Sequence, residues 1–222
     1  MQRTPEPELM DDEAQALAYA EADFAAPHDN FVALFREAFP DAELAGTVLD
    51  LGCGPADVTV RLARAFPGCR IDGVDGAAAM LKLGREAVRR AGLENRIRLI
   101  EAYLPGSAPP LATYDAVVSN SLLHHLADPA VLWESLKRWG KPGASVFVMD
   151  LRRPDSPGLV EALVRRHAAD APEVLRRDFE NSLRAAYRVE EVRGQLEACG
   201  LAGLAIHAVG DRHLTVAGRL AV

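Results

Sequence analysis

The residues best suited to chemistry gather behind one short apolar run. In Val48-Leu49-Asp50-Leu51-Gly52-Cys53-Gly54-Pro55-Ala56-Asp57, two glycines spaced by one residue follow a strand-like stretch and precede a helix-like one. Glycine lets the backbone turn tightly and lets a ligand lie directly against it. The N-terminus of a helix adds unpaired N–H groups. Such a unit binds a nucleotide-like cofactor at the C-terminal edge of a parallel sheet. Two acids bear on which cofactor. Asp50, immediately before the loop, is unhelpful to a pyrophosphate and suits a ligand with an ammonium group and a sulfonium centre. Asp75 closes Ile71-Asp72-Gly73-Val74-Asp75, about 20 residues beyond the loop, where an acid accepts both ribose hydroxyls. That contact is common to dinucleotide and adenosine cofactors, so Asp75 does not separate them, and taken alone it also reads as a solvated turn residue. The third glycine of a dinucleotide loop is missing, with Ala56-Asp57 in its place.

A second set of candidates follows the later strands. His124 and His125 come after Tyr114–Ser119, at the same sheet edge, and an imidazole titrating near neutrality is a candidate proton acceptor; the plainer reading caps a helix or packs between elements. Asp211, Arg212 and His213 lie in a late turn that an antiparallel last strand returns to that edge, against the alternative of solvated charges. Arg152 and Arg153 leave the fifth strand there and are candidates for an acidic substrate. Asn181, Arg184 and Tyr187 fall on one helical face at spacing three and three, with a solvated amphipathic face as the other reading. Tyr19, Phe24 and Phe31 are core residues by default and a lid otherwise. Cys53, Cys69 and Cys199 are widely spaced, with no CxxC and no Cys/His cluster, so no zinc site or disulfide framework is suggested and no metal is required.

These residues must be positioned by alternating elements. Thr47–Leu51, Ile71–Val74, Ile97–Ile100, Tyr114–Ser119 and Ala144–Asp150 read as strands. Helices are expected over about Ala56–Phe66, Ala77–Ala91 and Pro129–Arg138, with Gly92 as a C′ stop and Lys141-Pro142-Gly143 as a turn. Alternation at this spacing means βαβ units and a parallel sheet covered on both faces. Residues 152–187 read as helical and Arg-rich, broken by Pro154, Pro157 and Pro172. Val189–Cys199 is a further helix closed by Gly200. The last two strands, about Leu204–Val209 and Leu214–Leu220, are joined by a turn short enough for a hairpin. The expected organisation is an acidic helical cap over 1–44 and a main domain over 45–222, with a helical substrate-cap insert at about 152–187.

The chain has 222 residues, 49% of them hydrophobic and 26% charged, the make-up of an ordinary globular protein large enough for a full core. Its formal charge is −7. Residues 1–50 carry twelve Asp or Glu against Arg3 and Arg36, so the remainder is slightly basic. The acidic balance argues against a general nucleic-acid or anionic-membrane binder. No run suits a membrane span, and the acidic N-terminus does not resemble a secretory signal, so a cytoplasmic location is expected.

Taken together the motifs resemble the class I S-adenosylmethionine-dependent methyltransferases. VLDLGCGPAD matches the first family motif, GVDGAAAML the second, YDAVVSNSLLHHLADP the fourth-strand segment and KPGASVFVMD the fifth. The final helix and its passage to strand six also match, so the resemblance spans about 45–220. The subgroup most similar is the small-molecule branch of ubiquinone and menaquinone biosynthesis methyltransferases. The resemblance implies a Rossmann-like, mostly parallel seven-stranded α/β sheet of order 3-2-1-4-5-7-6, with an antiparallel last strand and helical caps. It implies S-adenosyl-L-methionine as cofactor. Gly52, Cys53 and Gly54 would line its methionine part, with Asp50 orienting the loop and amino group and Asn120 beneath. Asp75, beside Gly76, would be the ribose acid, and Met80 would help wall the adenine. The family's Gly-Asp after strand three is replaced by Glu101-Ala102-Tyr103, leaving open whether Tyr103 or Glu101 meets the adenine. Ala56-Asp57 likewise departs from the usual small-Gly pair.

The implied activity is methyl transfer to an O, N, S or C atom of a small-molecule acceptor. A non-catalytic adenosylmethionine-binding regulator is the alternative from another class, and an NAD(P)-dependent oxidoreductase a third. Asn120-Ser121-Leu122-Leu123 lacks the Pro-Pro-aromatic sequence of amino methylation of adenine, cytosine or glutamine. No cysteine follows a proline, as the nucleophile of pyrimidine C5 methylation does, and too few thiols remain for arsenite methylation.

Overall fold

The computed structural model describes residues 1–6, 11–22, 24–41 and 44–221. Parts of the expected N-terminal cap (7–10, 23 and 42–43) therefore lie outside the described residues. In chain order the elements are α1 (Glu13–Glu21), α2 (Ala25–Ala38), β1 (Thr47–Leu51), α3 (Asp57–Ala65), β2 (Arg70–Asp75) and α4 (Ala78–Arg90). Then come β3 (Ile97–Glu101), β4 (Tyr114–Asn120), a 3₁₀ turn at Leu123–His125, α5 (Ala130–Trp139) and β5 (Gly140–Leu151). The chain continues through α6 (Pro157–His167), α7 (Glu173–Ala185), α8 (Val189–Ala198), β6 (Ala205–Val209) and β7 (His213–Arg219).

The seven strands form one sheet in the expected order, β3-β2-β1-β4-β5-β7-β6. The β1–β2, β1–β4, β2–β3 and β4–β5 pairs are parallel, and β7 runs antiparallel to both β5 and β6. Successive strand side chains point to opposite faces, and the core divides accordingly. Leu49 and Leu51 of β1 join Val117, Val146 and Val148 under Leu132, Trp133 and Leu136 of α5 and Val192 and Leu196 of α8. Val48 joins Ala116, Val118, Phe147 and Met149 under α2 and α3. Asp50 shares the face of Val48, which turns it towards α3.

Helix α2 belongs to this second core. Phe31 and Phe35 are fully buried and meet Phe147 edge-on, with ring centroids 4.9 and 5.6 Å away. Helices α6 and α7 build a smaller core of their own, with Val160, Leu163 and Leu183 against Leu151 at the end of β5. Among the described residues no helix is long and apolar enough to cross a membrane.

Three local expectations need correction. Two of the prolines start helices in the insert instead of breaking them. Pro157 occupies the first turn of α6 behind the Ser156 cap, and Pro172 caps α7; a missing N–H costs nothing where no intrahelical acceptor exists. Lys141-Pro142-Gly143 lies within β5 as an irregularity, where the β4–β5 register slips between Tyr114/Gly140 and Ala116/Ser145. Helix α7 ends at Ala185, and Ala186 is extended at φ −57° and ψ 154°. Tyr187 thus does not continue the helical face of Asn181 and Arg184.

Because Phe31 closes the core over Phe147, Phe31→Ala should destabilise the whole domain by about 3–5 kcal/mol, as for other buried aromatic truncations. Urea unfolding followed by circular dichroism checks this. A main transition that stays in place would mean that α2 unfolds separately from the sheet.

Candidate active site

The site lies where β1, β2 and β4 end. The chain leaves β1 through Gly52 and Gly54, both left-handed at φ +71° and +52°. A Cβ on Gly52 would come within 2.9 Å of Leu122, whereas one on Gly54 would meet nothing within 4 Å, because it faces open space. Ala56 also has left-handed geometry, at φ +64°. The loop thus takes a left-handed turn into α3 with a Cβ in place, at a strain of about 1–2 kcal/mol.

Asp75 ties this loop to the next. Its Oδ2 accepts from the Gly54 N–H at 2.8 Å and its Oδ1 from the Ala77 N–H at 2.8 Å. Burial pushes its carboxyl upward, against the pull of these backbone donors. Asp50 is more isolated. It is 2% exposed and accepts from Thr59 Oγ1 at 2.6 Å. Desolvation pushes its pKa up to about 6, Thr59 opposes this, and Asp75 adds to it; no cation takes part.

A cavity opens between these groups. Its lining includes every residue predicted for the cofactor: Asp50, Gly52, Cys53, Gly54, Asp75, Gly76, Met80, Ala102, Tyr103 and Asn120. Asn120 Oδ1 is buried without a hydrogen-bond partner among the described residues. Tyr103 is 49% exposed at the rim, and Glu101 is exposed outside the lining. Two N-terminal groups also reach the cavity. Tyr19 lines it with its hydroxyl pushed up to about 12 by burial, and Phe24 stacks against Tyr19 and His28. His28 Nδ1 lies 2.5 Å from Asp57 Oδ2, and Arg61 Nε donates to the same oxygen at 2.9 Å. The His28 bond, with Arg61 helping, outweighs burial and holds Asp57 down to about 2. This pairing clamps α2 to the first turn of α3. Sequence reading missed His28, since nothing near it points to the loop.

The two adjacent histidines part company. His125 lines the cavity beside Leu122 and Leu126. His124 is 3% exposed, outside the lining, with its Nδ1 2.5 Å from Asp150 Oδ1. Burial works against its charge, but Asp150 and Glu6 outweigh it and raise its pKa.

The remaining predicted residues do not line the cavity. His213 pairs with Leu151 and Val209, and burial, with Arg212, lowers its pKa to about 4. Asp211 is bound by Arg166 and His167 of α6. Arg152 bridges to Tyr187 and bonds to the Arg212 carbonyl through its N–H. Arg153 is buried against the Ala186 carbonyl and Glu191. Asn181 is exposed, and Arg184 pairs with Glu180 within α7. The Tyr187 hydroxyl donates to the Leu126 carbonyl at 3.0 Å, with Arg3 over its ring. None of these groups lines the cavity, and Arg152 Nε is buried without a hydrogen-bond partner among the described residues.

The cavity thus lies at the C-terminal edge of the sheet, between the β1 loop and the ends of β2 and β4. Residues 48–143 match the family described as "Methyltransferase domain". The chain is 33% identical over 146 residues to trans-aconitate 2-methyltransferase of Azoarcus sp. (strain BH72), a match covering 66% of this chain and 53% of that protein. It is 29% identical over 169 residues to ubiquinone biosynthesis O-methyltransferase of Methylococcus capsulatus, covering 75% of this chain and 70% of the other. Among solved structures, a putative S-adenosyl-L-methionine-dependent methyltransferase from Methanococcus maripaludis shares the fold at TM-score 0.72 and 21% identity, over 99% of this chain and 98% of that one. The plantazolicin methyltransferase BpumL, solved with a substrate analogue and S-adenosylhomocysteine, does so at TM-score 0.72 and 12% identity, over 94% and 90%. Residues 48–143 are thus similar to a methyltransferase domain, and the chain shares the fold of solved S-adenosylmethionine-dependent methyltransferases.

Asp50 has a measurable consequence in the ligand-free protein. Its pKa is higher folded than unfolded, so the folded state holds the proton more tightly and loses that advantage as pH rises from about 4 to 6. Asp50→Asn should therefore be more stable than wild type at pH 7 by up to about 3 kcal/mol, with the gain shrinking as pH falls from about 6 to 4 and nearly gone below pH 4. Urea unfolding of both proteins at the two pH values tests this; an equal difference at both would show that Asp50 is not the group responsible.

Proposed function

We propose that this chain transfers a methyl group from S-adenosyl-L-methionine to an O, N, S or C atom of a small-molecule acceptor. The observation that carries this reading is Asp50, a desolvated carboxylate on the cavity wall with no cation acting on it among the described residues. Such a group favours a ligand that brings its own positive charge and opposes a pyrophosphate. The orphaned Asn120 Oδ1 and the open space over Gly54 fit the same ligand. When bound, that cofactor supplies an electrophilic methyl group on sulfur.

The protein's own part is then binding, orientation and exclusion of water. Asp50 and Asn120 serve the charged amino acid end. Asp75 is held by Gly54 and Ala77 with lone pairs left over for ribose hydroxyls. Met80, Ala102, Tyr103 and Leu104 offer a largely apolar surface for the base. Leu122, His125 and Leu126 make up the opposite wall, the side left for the acceptor, with Tyr19 and His28 closing it from the N-terminal helices. Small acceptors are supported by relatives named for trans-aconitate and ubiquinone biosynthesis. The acidic charge balance disfavours nucleic acid.

Calorimetric titration with S-adenosylmethionine, S-adenosylhomocysteine and NADH tests the reading. Micromolar binding of the first two and none of the third is expected, followed by transfer of labelled methyl to a screened small acceptor. Binding of NADH alone would overturn it. Asp75→Ala removes a charge-assisted contact and should weaken adenosylmethionine binding at least tenfold. Unchanged affinity in a folded variant would remove Asp75 from the site.

A further inference from the structure

Beside the cavity lies a group of side chains that the cofactor does not use. Glu6 reaches in from the N-terminal segment to His124 and His125. Its Oε1 lies 3.5 Å from His124 Nε2 and 3.5 Å from His125 Nδ1. All three donor atoms fall within 4.8 Å of one another. These separations exceed the roughly 2.7–2.9 Å of a charge-assisted hydrogen bond. The two Glu6 separations are close to the edge, about 3.3–3.4 Å, of a tetrahedron around an ion with bonds of about 2.0–2.1 Å. Glu6 Oε1 has no hydrogen-bond partner among the described residues, although only 10% of the side chain is exposed.

We propose that Glu6, His124 and His125 form a binding site for one divalent transition-metal ion of the zinc type, with its open position towards the acceptor side of the cavity. Two imidazoles and one carboxylate are a ligand set of catalytic zinc sites, which keep a fourth position for water or substrate. The supporting contacts of such a site are present. Asp150 Oδ1 receives His124 Nδ1 at 2.5 Å, which leaves Nε2 as the lone-pair nitrogen facing Glu6, the carboxylate–histidine arrangement that orients a ligand for metal. Asp150 is itself fixed by the N–H groups of Leu123 and Leu151, both at 2.7 Å. Ser182 Oγ donates to Glu6 Oε2 at 3.3 Å, leaving Oε1 for the ion. Arg3 pins the turn that carries both histidines, donating to the His124 carbonyl at 2.9 Å and the Leu126 carbonyl at 3.1 Å. His125 also lines the cavity, so an ion on it meets whatever fills the acceptor side. An acceptor hydroxyl or carboxylate at the open position would be polarised there. That last step rests on the methyltransferase reading, whereas the ion site does not.

The test is made on the full chain without cofactor, so it is independent of adenosylmethionine binding. Protein stripped with chelator is dialysed against micromolar Zn²⁺ or Co²⁺ and its metal content measured by mass spectrometry. One equivalent per chain is expected. The cobalt form should show visible ligand-field bands without thiolate charge-transfer bands, which excludes the cysteines. Glu6→Gln, which keeps the side chain's shape, and His125→Ala should each weaken metal binding at least tenfold. Wild type retaining no stoichiometric metal would overturn the assignment, as would folded Glu6→Gln and His125→Ala retaining as much as wild type.

Discussion

The site is organised around one carboxylate. Asp75 holds the glycine loop after β1 and the turn into α4 together, through the Gly54 and Ala77 N–H groups. Gly54 presents its N–H to that oxygen only in the left-handed conformation it adopts. Gly52 must have no Cβ because Leu122 already fills that space. Residue 56 must reverse the chain into α3, and does so even as alanine. The strand order follows the same geometry: β1 has β2 and β4 on either side, so loops from three neighbouring strands converge on one point of the sheet edge.

The second acid at that edge shows the cost of function. A buried carboxylate with one hydroxyl donor and no cation is destabilising in the empty protein. Thr59 recovers part of this, and the apolar core beneath, from Val48 through Phe147 to Phe31, supplies the excess stability that tolerates it. Local penalties of this kind persist where the surrounding fold over-determines the position. The left-handed Ala56 is a second example, only six residues further on. Asp50 lies in β1 and Ala56 just before α3, at the two ends of the loop that faces the cavity.

Contiguous features of this site were legible in the sequence, and features made by folding were not. The ten cofactor-side residues sit on two short motifs and two strand ends, where the alternation of strand, loop and helix fixes what faces the edge. The antiparallel β7 followed from the short turn that makes the last two strands a hairpin, and the strand order from the family resemblance. The helical face of Asn181, Arg184 and Tyr187 failed because α7 stops at Ala185, with no glycine or proline to mark the end. His124 and His125 looked equivalent as neighbours, but a 3₁₀ turn sends one to Asp150 and the other to the cavity. His28 and Glu6 carry no local signal, since their roles depend on partners far along the chain.

That division separates two kinds of element. The stretch matching the methyltransferase family, residues 48–143, contains the glycine loop, both acids, the base-side wall and the histidine pair. The groups closing the cavity from the other side, Tyr19 and His28, come from α1 and α2. Glu6 and Arg3 come from the segment before them, which α7 anchors where the Thr4 N–H meets the Arg184 carbonyl and Ser182 meets Glu6. The anchor is reciprocal: Arg3 holds both the end of α7, at the Ala185 carbonyl, and the 3₁₀ turn, at His124 and Leu126. On the proposed function, the cofactor is held by the shared domain, and the acceptor is met by Leu122, His125 and Leu126 of that domain together with parts outside it. A change in the N-terminal segment or in α7 would then alter acceptor handling while leaving the Asp75 cradle intact. On that reading, selection among acceptors would draw on these flanking elements as well as on the turn that carries the histidines.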